Sequence, residues 1–189
     1  MPNWTQNTLK VKGSDADLKK FEEDMDALCR RVYPKNPEII FSYNLGKELP
    51  VDLRGTISPR PKTREELIEL AKQYNWEPAI LDSNLQMALT PDEAKRYDKL
   101  LKTYGVDNWY DWCCENWGVK WDAVDSSKER TPRMLVYRFI SPWGAPEAAI
   151  YHIANKYPNL QFVMDSVYEG EDQVYRFTIS AHQMVQTAL

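Results

Sequence analysis

Apolar residues near the start of the chain recur at intervals of three and four positions, and this spacing predicts an amphipathic helix. The recurring residues are Leu18, Phe21, Met25, Leu28, Cys29 and Val32. Ser14 and Asp17 have the spacing of a capping box and predict the start of this helix. Pro34 predicts that the helix ends near Tyr33, because the residue before a proline disfavours helical dihedral angles.

Alternating or continuous apolar segments predict strands elsewhere in the chain. They span 5–12, 119–123, 134–140, 160–167 and 174–180. Thr63 and Thr90 each precede a glutamate by three positions, and these capping boxes predict two further helices. A helix is also expected after Pro146, whereas residues 125–133 are polar and predict a loop.

Residues 109–121, which read WYDWCCENWGVKW, hold four of the seven tryptophans. Asn108 predicts the cap of a helix, and Gly118 predicts its end in the left-handed conformation. Because this helix is apolar over most of its circumference, we expect it to be buried on several sides. The predicted aromatic core consists of Trp109, Trp112, Trp117, Trp121 and Trp143.

The order of these elements predicts an α+β fold built on an antiparallel sheet. With the middle of the chain set aside, the order is βαββαβ plus one added C-terminal strand, which is the ferredoxin-like topology. We therefore predict a single domain over residues 1–189. Its core spans 1–35 and 105–181, and a helical insertion spans 36–104.

Composition and charge limit the classes of protein to which this chain can belong. Hydrophobic residues make up 43% and charged residues 28%, which is ordinary for a globular protein. The net charge of -4 argues against broad attraction to nucleic acid or to anionic membranes. No apolar run reaches about 18 residues, so no membrane span is predicted. The N-terminal residues lack the layout of a signal peptide and are expected to be mature sequence.

The three cysteines predict a reducing environment. Cys113 and Cys114 are adjacent, and adjacent cysteines seldom satisfy disulfide geometry. Buried, reduced thiols in a cytosol are therefore expected. A vicinal redox pair is the alternative.

Two charged segments are the candidate partner-binding residues. Between Lys35 and Arg64 the chain has six basic and three acidic residues. The turn that joins the last two predicted strands is acidic. The candidates are Lys47, Arg54, Arg60, Lys62, Arg64, Glu169, Glu171 and Asp172.

No catalytic or metal-binding motif is present in the sequence, and we expect no catalytic residue, metal or cofactor. Asp111 and Glu115 are expected to form ion pairs, because they share a helix predicted to be buried. Residues 134–140, MLVYRFI, are the segment nearest to an RNA-binding strand, with Tyr137, Arg138 and Phe139 as its closest approach to that motif. This segment lacks the glycines of that motif.

Several short motifs together resemble a known family. The motifs are Met1–Trp4 with Asn7, Leu9, Val11 and Gly13; Tyr104–Gly105; Asn108–Cys113; Asn116–Gly118; Lys120–Asp122; Phe139, Pro142, Trp143 and Pro146; and Tyr168–Gly170. In these positions the chain is similar to the Api-type family of uncharacterised phage- and plasmid-borne proteins with a ferredoxin-like domain. The resemblance covers about the first 35 residues and everything after Tyr104. Residues 36–100 do not match, and Val119 stands where the family has threonine.

The resemblance implies an accessory gene of a mobile element in a bacterial cytoplasm, and it brings no catalytic residues. The leading hypothesis is therefore a non-enzymatic interaction protein that binds a bacterial host protein or complex, with counter-defence as its most concrete form. One alternative is a nucleic-acid-binding module that uses the sheet and residues 35–64. Another is a small enzyme whose aromatic pocket, lined by Trp109, Trp112 and Trp143, holds a nucleotide base.

Overall fold

A computed structural model describes residues 3–189 and has an α+β fold, which confirms the predicted class. The helices are α1 (Asp15–Val32), α2 (Arg64–Tyr74), α3 (Pro78–Leu85), α4 (Pro91–Tyr104), α5 (Trp109–Trp117) and α6 (Glu147–Lys156). The strands are β1 (Trp4–Lys12), β2 (Val124–Thr131), β3 (Met134–Pro142), β4 (Gln161–Tyr168), β5 (Val174–Ser180) and β6 (Gln183–Ala188). They form one antiparallel sheet in the order β2-β3-β1-β4-β5-β6.

The chain divides into two compact units. The described residues up to Glu48, together with Cys113–Leu189, form the unit that we call the sheet unit. Leu49–Trp112 form the second, which we call the helical unit. The single domain with an insertion at 36–104 stays a prediction.

Helix α1 and the inner face of the sheet form the core of the sheet unit. The Ser14 hydroxyl caps α1 by accepting from the Asp17 amide at 3.1 Å. Phe21 then projects from the apolar face of α1 against the rings of Tyr137 and Phe162, at centroid distances of 6.2 and 5.7 Å. The side chains of β1 alternate between the two faces of the sheet. Leu9 points to the face that α1 covers and is fully buried. The other side is called the open face below.

Strand β2 lies where the sequence predicts a loop, and the strand predicted at 119–123 is absent. The reason is that the inward side chains of β2 are charged. Lys128 Nζ lies 2.8 Å from Glu22 Oε1 and 2.9 Å from Asp26 Oδ1, both on α1. In β2, charged residues that form ion pairs thus take the inward positions where a strand normally has alternating apolar residues.

A buried carboxylate, Asp122, joins two distant parts of the sheet unit. It accepts hydrogen bonds from Tyr33 Oη, Ser42 Oγ, Tyr43 N, Asn44 Nδ2 and Ala123 N, at 2.5 to 2.9 Å. Burial raises the pKa of Asp122, and the hydrogen bonds from Ser42 and Tyr33 oppose that shift. Five donors on one carboxylate fix residues 42–44 against the start of β2.

Candidate partner-binding site

The open face of the sheet ends in a cleft of about 410 Å³. Its lining includes Trp4, Ile140, Val167, Glu169, Gly170 and Glu171. Sheet register builds its floor, because Gln6 on β1 pairs with Ile140 on one side and with Val167 on the other. An indole ring and two aliphatic side chains therefore lie next to two carboxylates. We call this feature the Trp4 cleft.

Backbone hydrogen bonds hold the acidic rim of the Trp4 cleft in place. Glu171 N donates to Tyr168 O at 3.0 Å, and Gly170 has the positive φ of 83° that this turn requires. Glu169 N donates to Trp4 O at 2.9 Å, while Trp4 N donates to Glu169 Oε2 at 2.8 Å. This reciprocal pair fixes the first residue of β1 against the turn and holds the Glu169 carboxylate at the Trp4 backbone.

The electrostatics of the Trp4 cleft favour a cation. Tyr175 Oη donates to Glu171 Oε2 at 3.1 Å, and this hydrogen bond raises the pKa of Tyr175. Burial raises the pKa of Tyr168, and the negative charges of Glu147 and Glu171 raise it further. Asp172 lies exposed in the same turn. No basic side chain lines the cleft among the residues that the structure describes.

Such an arrangement suits the side chain of arginine or lysine. The aliphatic stem of either residue can lie on apolar surface while its charged end reaches carboxylates. An arginine guanidinium can also bind a carboxylate through two parallel hydrogen bonds, and an aromatic face attracts it. The cleft thus combines the groups that bind a basic side chain.

The structure places the basic candidate residues in different surroundings. Lys47 is exposed in the sheet unit and donates to Asn116 Oδ1. In the helical unit Arg54, Lys62 and Arg64 are exposed. Arg60 is less accessible there, because its guanidinium lies 2.6 Å from Glu66 and 3.7 Å from Asp107. These two carboxylates neutralise the charge of Arg60.

The acidic candidates, in contrast, come together. Glu169 and Glu171 both line the Trp4 cleft, and Asp172 follows in the turn. Sequence reasoning identified these three residues but missed Trp4, Ile140 and Val167 as their neighbours. The only feature of the sequence that points to these neighbours is the alternation of residues along each strand. They come together on the open face because of the register in which β1, β3 and β4 pair.

The tryptophans of the predicted core differ in exposure. Trp112 is 4% exposed and Trp117 is 2% exposed, while Trp109 and Trp121 are half-buried. Trp143 is 53% exposed and so departs from the predicted core position. It follows β3 with a positive φ of 69°, and Lys120 Nζ lies 3.9 Å from the centre of its ring.

Two other sequence expectations need correction. Cys113 is buried as expected, but Cys114, the next residue around α5, is exposed. Asp111 and Glu115 are exposed too, and the Asp111 amide donates to Asn108 Oδ1 at 2.9 Å, which confirms the predicted cap. Neither carboxylate is the buried charge that the sequence suggested.

The aromatic residues of β3 are out of reach of a nucleic acid on the open face. Tyr137 is fully buried and Phe139 is 2% exposed, both on the face that α1 covers. Arg138 is the residue of this trio on the open face, and its guanidinium lies 2.9 Å from Glu129. Base stacking on Tyr137 and Phe139, as in an RNA-binding sheet, is therefore excluded by their burial.

Comparison with known proteins gives one structural likeness. No protein-family model matches the sequence, and no curated protein matches it. The crystal structure of protein api92 from Yersinia pseudotuberculosis matches 99% of this chain and 98% of that chain. The TM-score is 0.49 and the sequence identity is 10%. These values lie below those that establish a shared fold or family, so the similarity to the Api-type family stays a resemblance.

No helix within residues 3–189 has both the length and the apolar character needed to cross a membrane.

Proposed function

We propose that this protein is a non-enzymatic interaction protein that binds a partner protein at the Trp4 cleft. One observation carries the proposal: Trp4, an aliphatic floor and the carboxylates of Glu169 and Glu171 converge in a single cleft of about 410 Å³. The cleft lies at a surface turn, which suits a protruding side chain of a partner. We infer that this side chain is basic, with arginine as the best fit.

The setting that we propose is a bacterial cytoplasm, with the gene carried by a phage or plasmid. The motifs that resemble the Api-type family support this setting. A role in counter-defence, as an inhibitor of a bacterial immune protein, is the most specific form of the proposal. Its support is the net charge of -4 together with the acidic rim, because an acidic protein can occupy a basic nucleic-acid groove of another protein.

We also infer that β1 to β4, with α1 and α6, form a ferredoxin-like core. The order β2-β3-β1-β4 within the sheet and its antiparallel pairing support this inference. So does the position of one helix after β1 and another after β3. Strands β5 and β6 then extend this core beyond β4.

Nuclear magnetic resonance titration with short peptides tests the proposed binding chemistry. The probes are an acetylated Gly-Gly-Arg-Gly-Gly peptide and the same peptide with citrulline, which keeps the shape of arginine but lacks its charge. We expect the arginine peptide to shift the indole N–H of Trp4 and the amide of Gly170, and the citrulline peptide to leave both unchanged. Equal shifts with both peptides, or none with either, contradict the proposal.

Matched variants distinguish binding at the Trp4 cleft from a general effect of the negative charge of the protein. Glu169→Gln and Glu171→Gln remove charge from the rim, and we expect each to weaken arginine binding several-fold. Glu23→Gln removes the same charge from the exposed side of α1 and is expected to leave binding unchanged. A pull-down from bacterial lysate at low salt, with wild type and the double variant of Glu169 and Glu171 in parallel, then tests the protein partner. A partner retained equally by both proteins contradicts the role of the cleft.

A further inference from the structure

The last strand, β6, is an edge strand without the usual protection against pairing. Its six residues, Gln183–Ala188, include no charged residue, proline or glycine, and all six are exposed. Met184 is 43% exposed and Val185 is 51% exposed. Natural edge strands commonly carry charges, prolines or bulges that prevent another strand from adding to the sheet.

The hairpin between β5 and β6 determines which backbone groups of β6 face away from the sheet. Ser180 pairs with Gln183 across a two-residue turn, so these residues form a hydrogen-bonded pair. Hydrogen-bonded pairs then recur at every second residue. Val174 and Leu189 belong to this series, and the hydrogen bond from Leu189 N to Val174 O is 3.0 Å long. The N–H and C=O groups of Met184, Gln186 and Ala188 consequently point outward at the free edge.

The opposite edge of the sheet is protected in several ways. Strand β2 carries Lys128, Glu129 and Arg130 in succession. Its pairing with β3 shifts register between Val124 and Ser127, and Ile40 N donates to Ser126 Oγ at 3.1 Å. A bulge, charges and a covering segment thus protect β2, and within residues 3–189 β6 has none of these.

We propose that β6 pairs antiparallel with β6 of a second copy of this chain, about a two-fold axis beside Gln186. In this register Gln186 lies opposite its own counterpart, and the outward groups of Met184 meet those of the partner's Ala188. Each of the three facing pairs exchanges two main-chain hydrogen bonds. Val185 lies opposite the partner's Thr187, a cross-strand pair of β-branched residues.

Charge argues for a second copy as the occupant. A two-fold axis places equal residues near each other, so a charged edge would repel itself. The uncharged edge of β6 avoids this, whereas the successive charges of β2 would not. Met184 also meets a small residue across the axis, and the partner's Met184 meets Ala188 in return. The dimer extends the sheet through both copies, and it does not depend on the proposed cleft.

Sedimentation equilibrium of the full chain over a wide range of concentration tests the dimer. We expect a mass that rises towards twice the 22.1 kDa of one chain. Gln186→Lys and Gln186→Glu each place like charges across the axis, and each is expected to raise the dimer dissociation constant about tenfold or more, which corresponds to about 1.4 kcal/mol. An equimolar mixture of the two variants is expected to restore the dimer, because the opposed charges are then opposite in sign.

Gln73→Lys is the matched control, since it makes the same change on the exposed side of α2 and should leave the dimer intact. Hydrogen exchange adds a residue-level measurement: the amides of Met184, Gln186 and Ala188 should become protected as concentration rises. A mass of one chain at every concentration overturns the proposal. A dimer that survives in both Gln186 variants also overturns it, because the contact then lies elsewhere. A mixture that stays monomeric overturns it as well, because the two residues at position 186 then do not face each other.

Discussion

Gly46 lies so close to helix α6 that a side chain at this position would overlap the helix. A Cβ atom there would be 2.8 Å from Ile153 N and 3.0 Å from Ala149 O, both of which are backbone atoms. The φ angle of Gly46 is -76°, which any residue can adopt. The need for glycine is therefore a matter of space and not of backbone conformation.

Gly46→Ala is expected to destabilise the protein by about 1–3 kcal/mol, because the backbone of α6 must move to admit the methyl group. Gly144→Ala is the control, since no atom of the described residues, apart from Gly144 and its two chain neighbours, lies within 4 Å of the position of its Cβ. For the control we expect a change within about 0.5 kcal/mol. Urea denaturation measures both, and equal midpoints for the two variants would contradict the close contact.

Local sequence predicts the residues whose partners are near in the chain. The cap at Ser14 and the capping boxes at Thr63 and Thr90 are confirmed, because each partner lies three residues away. The requirement for glycine at position 46 could not be predicted in this way. Its steric partners lie about a hundred residues later, and no local pattern encodes them.

At the scale of elements, a charge network joins three strands across the open face. Asp165 on β4 lies 2.6 Å from Arg176 on β5 and 3.2 Å from Lys10 on β1. The hydrogen bond from Arg176 lowers the pKa of Asp165 below 3.8, and Lys10 contributes to this shift. The sheet thus holds the carboxylate in its ionised form.

Asp165→Asn tests the effect of this network on stability. A carboxylate with a lowered pKa in the folded state stabilises the protein above its unfolded pKa of 3.8, and this contribution is lost as the pH falls through the folded value. The stability difference between wild type and variant should therefore be largest near neutral pH and shrink below about pH 4. Denaturation curves over this pH range measure the difference. A difference that stays constant with pH would exclude the ionised network as its source.

Edge strands are the elements that sequence predicted least well. The central strands β1, β3 and β4 were predicted because buried apolar residues recur along them. Strand β2 turns Lys128 towards the charges of α1, and β6 is exposed throughout. Neither has an apolar face to bury, so hydrophobic periodicity cannot reveal them.

At the scale of the whole molecule, the three cysteines differ in accessibility. Burial raises the pKa values of Cys29 and Cys113 to about 12. Cys114 is exposed. Since the thiolate is the reactive form, the two buried thiols should react slowly in the folded protein.

Alkylation with iodoacetamide under native conditions is expected to modify one thiol rapidly, at Cys114, and the other two after unfolding. Mass spectrometry of timed samples measures the number and position of modified residues. Cys114→Ser should remove the rapid phase and leave the slow one. Rapid modification of Cys29 or Cys113 in the native protein would contradict their burial.

The candidate site shows what sequence can and cannot predict about the whole molecule. The acidic turn with Glu169 and Glu171 was identified because its residues are contiguous. Trp4 was placed beside that turn by the register of β1 with β4, which pairs Thr5 with Tyr168. Such pairing depends on the complete sheet and leaves no local pattern in the chain.

The anchoring around Asp122 has a consequence for how this chain can vary. Residues 42–44 are bound to that carboxylate, and Trp117 Nε1 donates to Lys47 O at 2.9 Å, so both ends of the intervening segment are fastened within the sheet unit itself. The entropic cost of closing a loop grows only slowly with its length. A change in the length of the segment between these two anchors is therefore expected to cost the sheet unit little free energy of loop closure, so insertions and deletions there should be tolerated better than in the strands.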